Sequence, residues 1–262
     1  MGLQNDDKLN SLQKRLPEGV VASSAWLVAQ GYSRQLVRKY VQGHWLTPLG
    51  RGVYARPTAT VNWEGVVLGM QQLEKLPFHV GGISALNRQG YAHYLPLKGE
   101  TQIHLWGRGK VPAWIKAVTL PEQLNFHTGR LFNDKTERLG LVESSTRLRD
   151  WTLQTSGPER AIFEVLNSVD SGASSFAHAA QLFEGLTVLR PGLLNELLMG
   201  CVSIKTKRLF LFLATYFDYP WLKKLDIKRV ALGSGKRSVV KGGRLDKQFL
   251  ITVPEKFGAE RG

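Results

Sequence analysis

The stretch SRQLVRKYVQGHWLTPLGRGVYAR, residues 33–56, carries five positive charges and no carboxylate. Ser33 is placed to cap a helix that runs to about Gln42, where Gly43 ends it. Leu36, Val37, Tyr40 and Val41 then share one inward stripe, because helical residues three and four apart lie on the same face. Gln35, Arg38, Lys39 and Gln42 fall on the other side, with Arg34 at their edge. Two short apolar runs follow around Pro48, Gly50 and Gly52, a hairpin signature.

Upstream, DDKLNSLQKRL spaces Leu9, Leu12 and Leu16 at helical intervals before Pro17 and Gly19 stop it. VVAS reads as a short extended piece. SSAWLVAQ reads as a helix capped by Ser23 or Ser24, with Trp26 and Leu27 inward and Gly31 as its stop. The order is helix, short strand, helix, tight turn, helix, hairpin. That order predicts a winged helix-turn-helix, a unit of about 60 residues. On such a unit the 33–42 helix reads bases: arginine pairs bidentately with guanine, and glutamine with adenine, in the major groove. Arg51 and Arg56 on the wing are placed for phosphates or an adjacent minor groove.

The bulk charge agrees. The 262 residues carry a net charge of +14, and a protein this basic commonly meets a polyanion. Residues 1–61 hold 8 Lys+Arg against 3 acids, residues 62–189 hold 12 against 12, and residues 190–262 hold 15 against 6. Clustering at the two ends suits partner-facing surfaces. The longest apolar run, LFLFLATYF at 209–217, is nine residues, well short of a membrane span, and a buried core helix is its expected role. MGLQNDDKLN has no apolar signal core, and Asp6 stands where a myristoylation motif wants Ser or Thr. A cytoplasmic protein without a membrane partner is expected.

After residue 60 the pattern is mixed. VNWEGVVLGMQQLEKL and ISALNRQGYAHYLP predict helices, while TQIHLWG, NFHTGRLF and LGLVESS predict strands. TSGPERAIFEVL starts a helix with Pro158 in its first turn and Ser156 and Glu159 in capping-box spacing. Helices are expected through FAHAAQLFEGL, PGLLNELLMGC and KTKRLFLFLATYF, then β structure with glycine turns to the end. The expected fold class is α+β: a winged helix over residues 1–60 and a mixed domain with a helical second half over 61–262.

Residues 223–247 hold nine Lys+Arg and two Asp. GSGKRSVVKGGR ends like a phosphate-binding loop, but Val230 and Arg237 break the G-x-x-x-x-G-K-[ST] pattern. A basic hairpin is the expected form, with Lys236, Arg237, Lys241 and Arg244 as a second, sequence-independent nucleic-acid contact.

Enzymatic chemistry finds little support. None of the six histidines pairs with another at metal-ligand spacing, and HExxH and G-x-S-x-G are absent. His104, between Ile103 and Leu105, is expected in a hydrogen-bonded core role. Cys201 stands alone among apolar neighbours. No cofactor or metal is expected, and no enzyme. The alternative is a nuclease-like second domain, whose carboxylates for Mg²⁺ would come from Glu100, Asp134, Glu137 and Glu143. A pure interaction module gripping a protein partner through an exposed LFLFLATYF run is a third reading.

LPEGVVASSAWLVAQGYSRQLVRKYVQGHWLTPLGRGVYARP, followed by HVGGISALNRQGYAHYLP, resembles the AbiEi family of bacterial antitoxins from type IV toxin–antitoxin systems. The likeness is densest over residues 16–97, and SGPERAIFEVL at 156–166 shares it. The resemblance implies an N-terminal winged helix that represses its own operon at inverted repeats in double-stranded DNA. It also implies a C-terminal domain that counteracts a nucleotidyltransferase-like toxin without forming a stable complex with it. Base reading carries over onto Ser33, Arg34, Gln35, Arg38 and Lys39.

Overall fold

A computed structural model describes residues 2–57, 60–91, 102–148 and 150–257, the side chains of 2–6 excepted. It begins with helix α1 (Gly2–Arg15), strand β1 (Ala22–Ser23), helices α2 (Ser24–Ala29) and α3 (Arg34–Gln42), and strands β2 (Thr47–Gly50) and β3 (Val53–Ala55). This is the expected winged helix. The three strands form an antiparallel sheet in the order β1-β3-β2, with Ala22 opposite Tyr54 and Thr47 opposite Ala55. Leu12 and Leu16 of the first helical segment are buried, as are Leu27, Val37, Tyr40 and Val53. The wing turn is closed by Gly52 at φ +74°, a conformation that glycine adopts at little cost.

The compact unit that contains the winged helix also takes in the chain up to His79 and the segments 98–128 and 143–154. The helix expected over VNWEGVVLGMQQLEKL is α4 (Trp63–Leu68), capped by Asn62, running into one π-helical turn at Gly69–Leu73. Two glycines explain how α4 joins the winged helix. A Cβ on Gly65 would stand 1.8 Å from the Gly19 carbonyl oxygen, and one on Gly69 2.1 Å from that of Val21. Backbone therefore lies directly on backbone, and Val21 N–H donates to Gly65 O at 3.2 Å. Val21, Val53, Val66, Met70 and Phe78 form the core of this unit. The π turn, a feature frequent at special positions in helices, brings Gln71 to donate to Phe78 O and Gln154 O and to accept from Gln154 N–H.

β4 (His79–Val80) leads to α5 (Gly82–Arg88). β5 (Gln102–Trp106) and β6 (Gln123–His127) pair in parallel with Ile103 opposite Leu124; β7 (Leu141–Ser145) and β8 (Thr152–Ser156) follow. Val80 of β4 pairs in parallel with Thr155 of β8.

The second compact unit comprises 80–97, 129–142 and 155–262. Its helices are α6 (Pro158–Ser168), α7 (Ala173–Glu184), α8 (Pro191–Gly200) and α9 (Ile204–Phe217), and it closes with the antiparallel pair β9 (Arg244–Asp246) and β10 (Ile251–Val253). The fold is α+β with a helical second half. Most of the LFLFLATYF run is core: Leu209 to Ala214 are all buried, with Phe210 stacked on Phe163, while Thr215 is exposed and Tyr216 and Phe217 are half-buried. An exposed partner-gripping role for residues 209–214 is therefore excluded.

The start of α6 corrects the capping-box expectation. Pro158 takes the first helical position, but the cap is Gly157 and makes no side-chain bond. Ser156 instead donates to Glu164 Oε2 at 2.8 Å, where Gly82 N–H also donates, while Arg160 Nε pairs with Glu164 Oε1 at 2.9 Å. Glu159 turns to Arg190, which meets it with its backbone N–H and two guanidinium nitrogens. Burial pushes the Glu159 carboxyl up, but the Arg190 bonds outweigh it and leave its pKa below the usual range. The box spacing is genuine, and tertiary partners outbid the local cap because burial makes an unpaired carboxylate costly.

Candidate nucleic-acid interface

α3 is fixed at its first turn by Ser33, whose Oγ accepts from Leu36 N–H at 3.2 Å. Ser33 thus acts first as a helix cap, and its side chain remains exposed. Arg34, Gln35, Arg38, Lys39 and Gln42 are all exposed. They divide into two flanks. Arg34, Val37, Arg38 and Val41 line a groove completed by Ser24 and Val28 of α2 and by Pro48 and Tyr54 of the wing strands. Gln35, Lys39 and Gln42, at i, i+4 and i+7, form the second flank.

On the wing, Arg51 is exposed in the turn. Arg56 is only half exposed and pairs with Glu18 at 3.0 Å. The helix stop also differs in detail: Gly43 ends α3 at φ −84°, and the left-handed residue is His44 at φ +56°. Val28 and Tyr54 were not anticipated as part of this surface. The available signal was the outward, apolar Val28 one turn after Ser24 on α2.

The second basic segment has a different construction. Lys236, Arg237, Lys241 and Arg244 are all exposed. Arg244 lies on β9 opposite Val253, Arg237 bridges Ile251 in parallel, Lys236 precedes that bridge and Lys241 lies on a turn. The GSG loop, which resembled a phosphate cradle, turns its carbonyls inward around Arg208 of α9. That guanidinium, 2% exposed, donates to Leu232 O, Gly233 O, Gly235 O and Leu250 O at 2.6–3.3 Å. Burial and the neighbouring Arg237 charge lower its pKa, yet a guanidinium stays charged in proteins, so the carbonyl dipoles carry its compensation.

Among the described residues no group of three or more His, Cys, Asp or Glu is arranged to hold a metal. Asp134 pairs with Arg130 at 3.3 Å, the Glu143 carboxylate accepts from the Thr152 hydroxyl, and Glu100 lies outside the described residues. Parallel strands β5 and β6 do bring two histidines together: His104 Nδ1 and His127 Nε2 are 2.9 Å apart, and Trp106 stacks on His127. Burial, then the His127 charge, lowers His104 to about 4, so it is neutral near pH 7. The thiol of Cys201 is pushed up to about 11 by burial, which makes it unreactive. No described helix is long and apolar enough to cross a membrane.

A capped, basic α3 beside a wing makes the N-terminal part of the chain a winged helix, followed along the sequence by α+β and helical segments. Residues 5–97 match the profile of the AbiEi antitoxin N-terminal domain, and residues 100–254 that of the AbiEi antitoxin transcriptional regulator of type IV toxin–antitoxin systems. The chain belongs to the AbiEi family of antitoxin transcriptional regulators. No curated protein matches significantly. The crystal structure of the RV2827C protein from Mycobacterium tuberculosis is similar in fold: 15% identity, 94% of this chain and 89% of that chain covered, TM-score 0.54.

Proposed function

We propose that this chain represses its own toxin–antitoxin operon and counteracts a nucleotidyltransferase-like toxin encoded beside it. The observation that carries the repressor half is α3: a helix capped at Ser33, packed through Val37 and Tyr40, with Arg34, Gln35, Arg38, Lys39 and Gln42 all outward. Such a helix enters the major groove and reads base edges, while phosphate contacts fix its register. Arg51 supplies a phosphate contact from the wing. Arg56 joins it by exchanging Glu18 for a phosphate, an exchange that costs little because exposed ion pairs are weak. Lys236, Arg237, Lys241 and Arg244 add a second, sequence-independent contact. Residues 1–60 act as the DNA reader and the remainder as the antitoxin part, and the protein works in the cytoplasm on inverted repeats.

The toxin half rests on family membership, and it operates without a stable complex. A reporter placed behind the DNA upstream of the gene tests the repressor half: the chain should silence it, and Arg38→Ala should release it. Co-expression with the neighbouring toxin gene tests the other half, where Arg38→Ala should still restore growth. A reporter indifferent to the chain refutes autorepression.

A further inference from the structure

The groove beside α3 is not purely basic. Val28 of α2 is 49% exposed, half-buried Val41 lies across from it on α3, and both line the same groove as Arg34 and Arg38. An apolar side chain left half open beside two guanidinium groups gives that half of its surface to no core contact. Arg34 and Arg38 are one helical turn apart, a rise of about 6 Å, close to two base steps of a duplex at about 3.4 Å each. Whatever fills the groove meets valine methyls beside two cations.

In the major groove, thymine presents an apolar group of its own, the C5 methyl. The geometry points to Val28 and Val41 as readers of a thymine methyl, at a base step beside the contacts of Arg34 and Arg38. The inference rests on the DNA-binding reading and sharpens it. Arginines choose guanine by hydrogen bonds, and the valines choose thymine over cytosine and uracil by burying its methyl. Val28 comes from α2, the helix usually assigned to backbone positioning, so α2 takes part in specificity.

The test is a thymine-to-deoxyuridine scan, one position at a time, across the duplex upstream of the gene, titrated with the full chain beside a scrambled duplex. Loss of one buried methyl should weaken wild-type binding about fourfold at one thymine in each half-site and leave the other thymines unaffected. Val28→Ala should bring that ratio close to one, whereas Arg38→Ala should weaken binding and keep the ratio. Val41→Ala provides a second variant from the other wall. If no thymine shows the effect, or if the ratio survives in both valine variants, the inference is wrong while operator binding stands. If the chain does not distinguish upstream from scrambled DNA, the inference and the repressor reading fall together.

Discussion

Arg38 and Arg208 both sit on helices, but one stands in solvent beside an apolar groove and the other is enclosed by four backbone carbonyls. The difference separates the two basic regions. In the first, charge stands on a regular helix whose start is set by Ser33, so each side chain has a defined rise and azimuth. That spacing suits reading bases. In the second, exposed cations stand on short strand pairings and irregular segments, shaped in part from within by a buried guanidinium. Such a surface can meet phosphates at many registers and carries little sequence information. Net charge alone does not distinguish them; backbone regularity does.

Breaking the inner scaffold of the second region should have the largest effect. Arg208→Met takes the guanidinium donor from the carbonyls of residues 232, 233 and 235, while Leu250 O keeps the Arg237 N–H, and each group left buried and unsatisfied costs about 1–3 kcal/mol. A stability loss of about 3 kcal/mol or more is expected in chemical denaturation. Retained wild-type stability would mean that the loop does not depend on Arg208. Next comes Arg38→Ala, which should cost about 1–3 kcal/mol on cognate DNA if its contact is bidentate, with little change in stability. Equal losses on cognate and random duplexes would move Arg38 to the phosphate class.

Ser33→Ala should lower stability by about 1 kcal/mol through loss of the cap, and Ser33→Asn should restore most of it. An unchanged melting temperature for Ser33→Ala would remove the cap from the account. The smallest effect is expected for Glu18→Gln. Breaking the Arg56 pair should change stability by less than about 1 kcal/mol, and should tighten binding to any duplex slightly by freeing a cation. Weaker binding would show that Arg56 acts only through Glu18.

The winged helix was legible because its signals are local. Leu9, Leu12 and Leu16, the serine caps, the apolar stripe of α3 and the turn at Gly52 are each read within a few residues. What escaped depends on partners far along the chain. Arg208 meets carbonyls 24 to 42 positions away, so KTKR reads like any basic helix start. Ser156 and Glu159 have the spacing of a capping box, but Gly157 is the cap while Glu164 and Arg190 claim the two side chains. The His104–His127 contact follows from parallel strand register, which sequence spacing does not reveal. At the α3 surface the charged residues were legible by helical period. Val28 was not, since an apolar residue on a short helix is ordinarily assigned to the core, and the half-hidden Arg56 gave no local sign of its pairing with Glu18.

The central claim is that α3 reads sequence while the remaining basic surface supplies phosphate contacts. A binding titration of the full chain on its upstream duplex and on a scrambled duplex, repeated across salt concentrations, tests it most directly. Upstream binding should be tighter by about a thousandfold or more, with both affinities falling steeply as salt rises. Replacing Lys236, Arg237, Lys241 and Arg244 by glutamine should flatten the salt dependence on both duplexes and keep the preference. Equal affinity for the two duplexes at every salt concentration would contradict the account, leaving α3 as one more basic face.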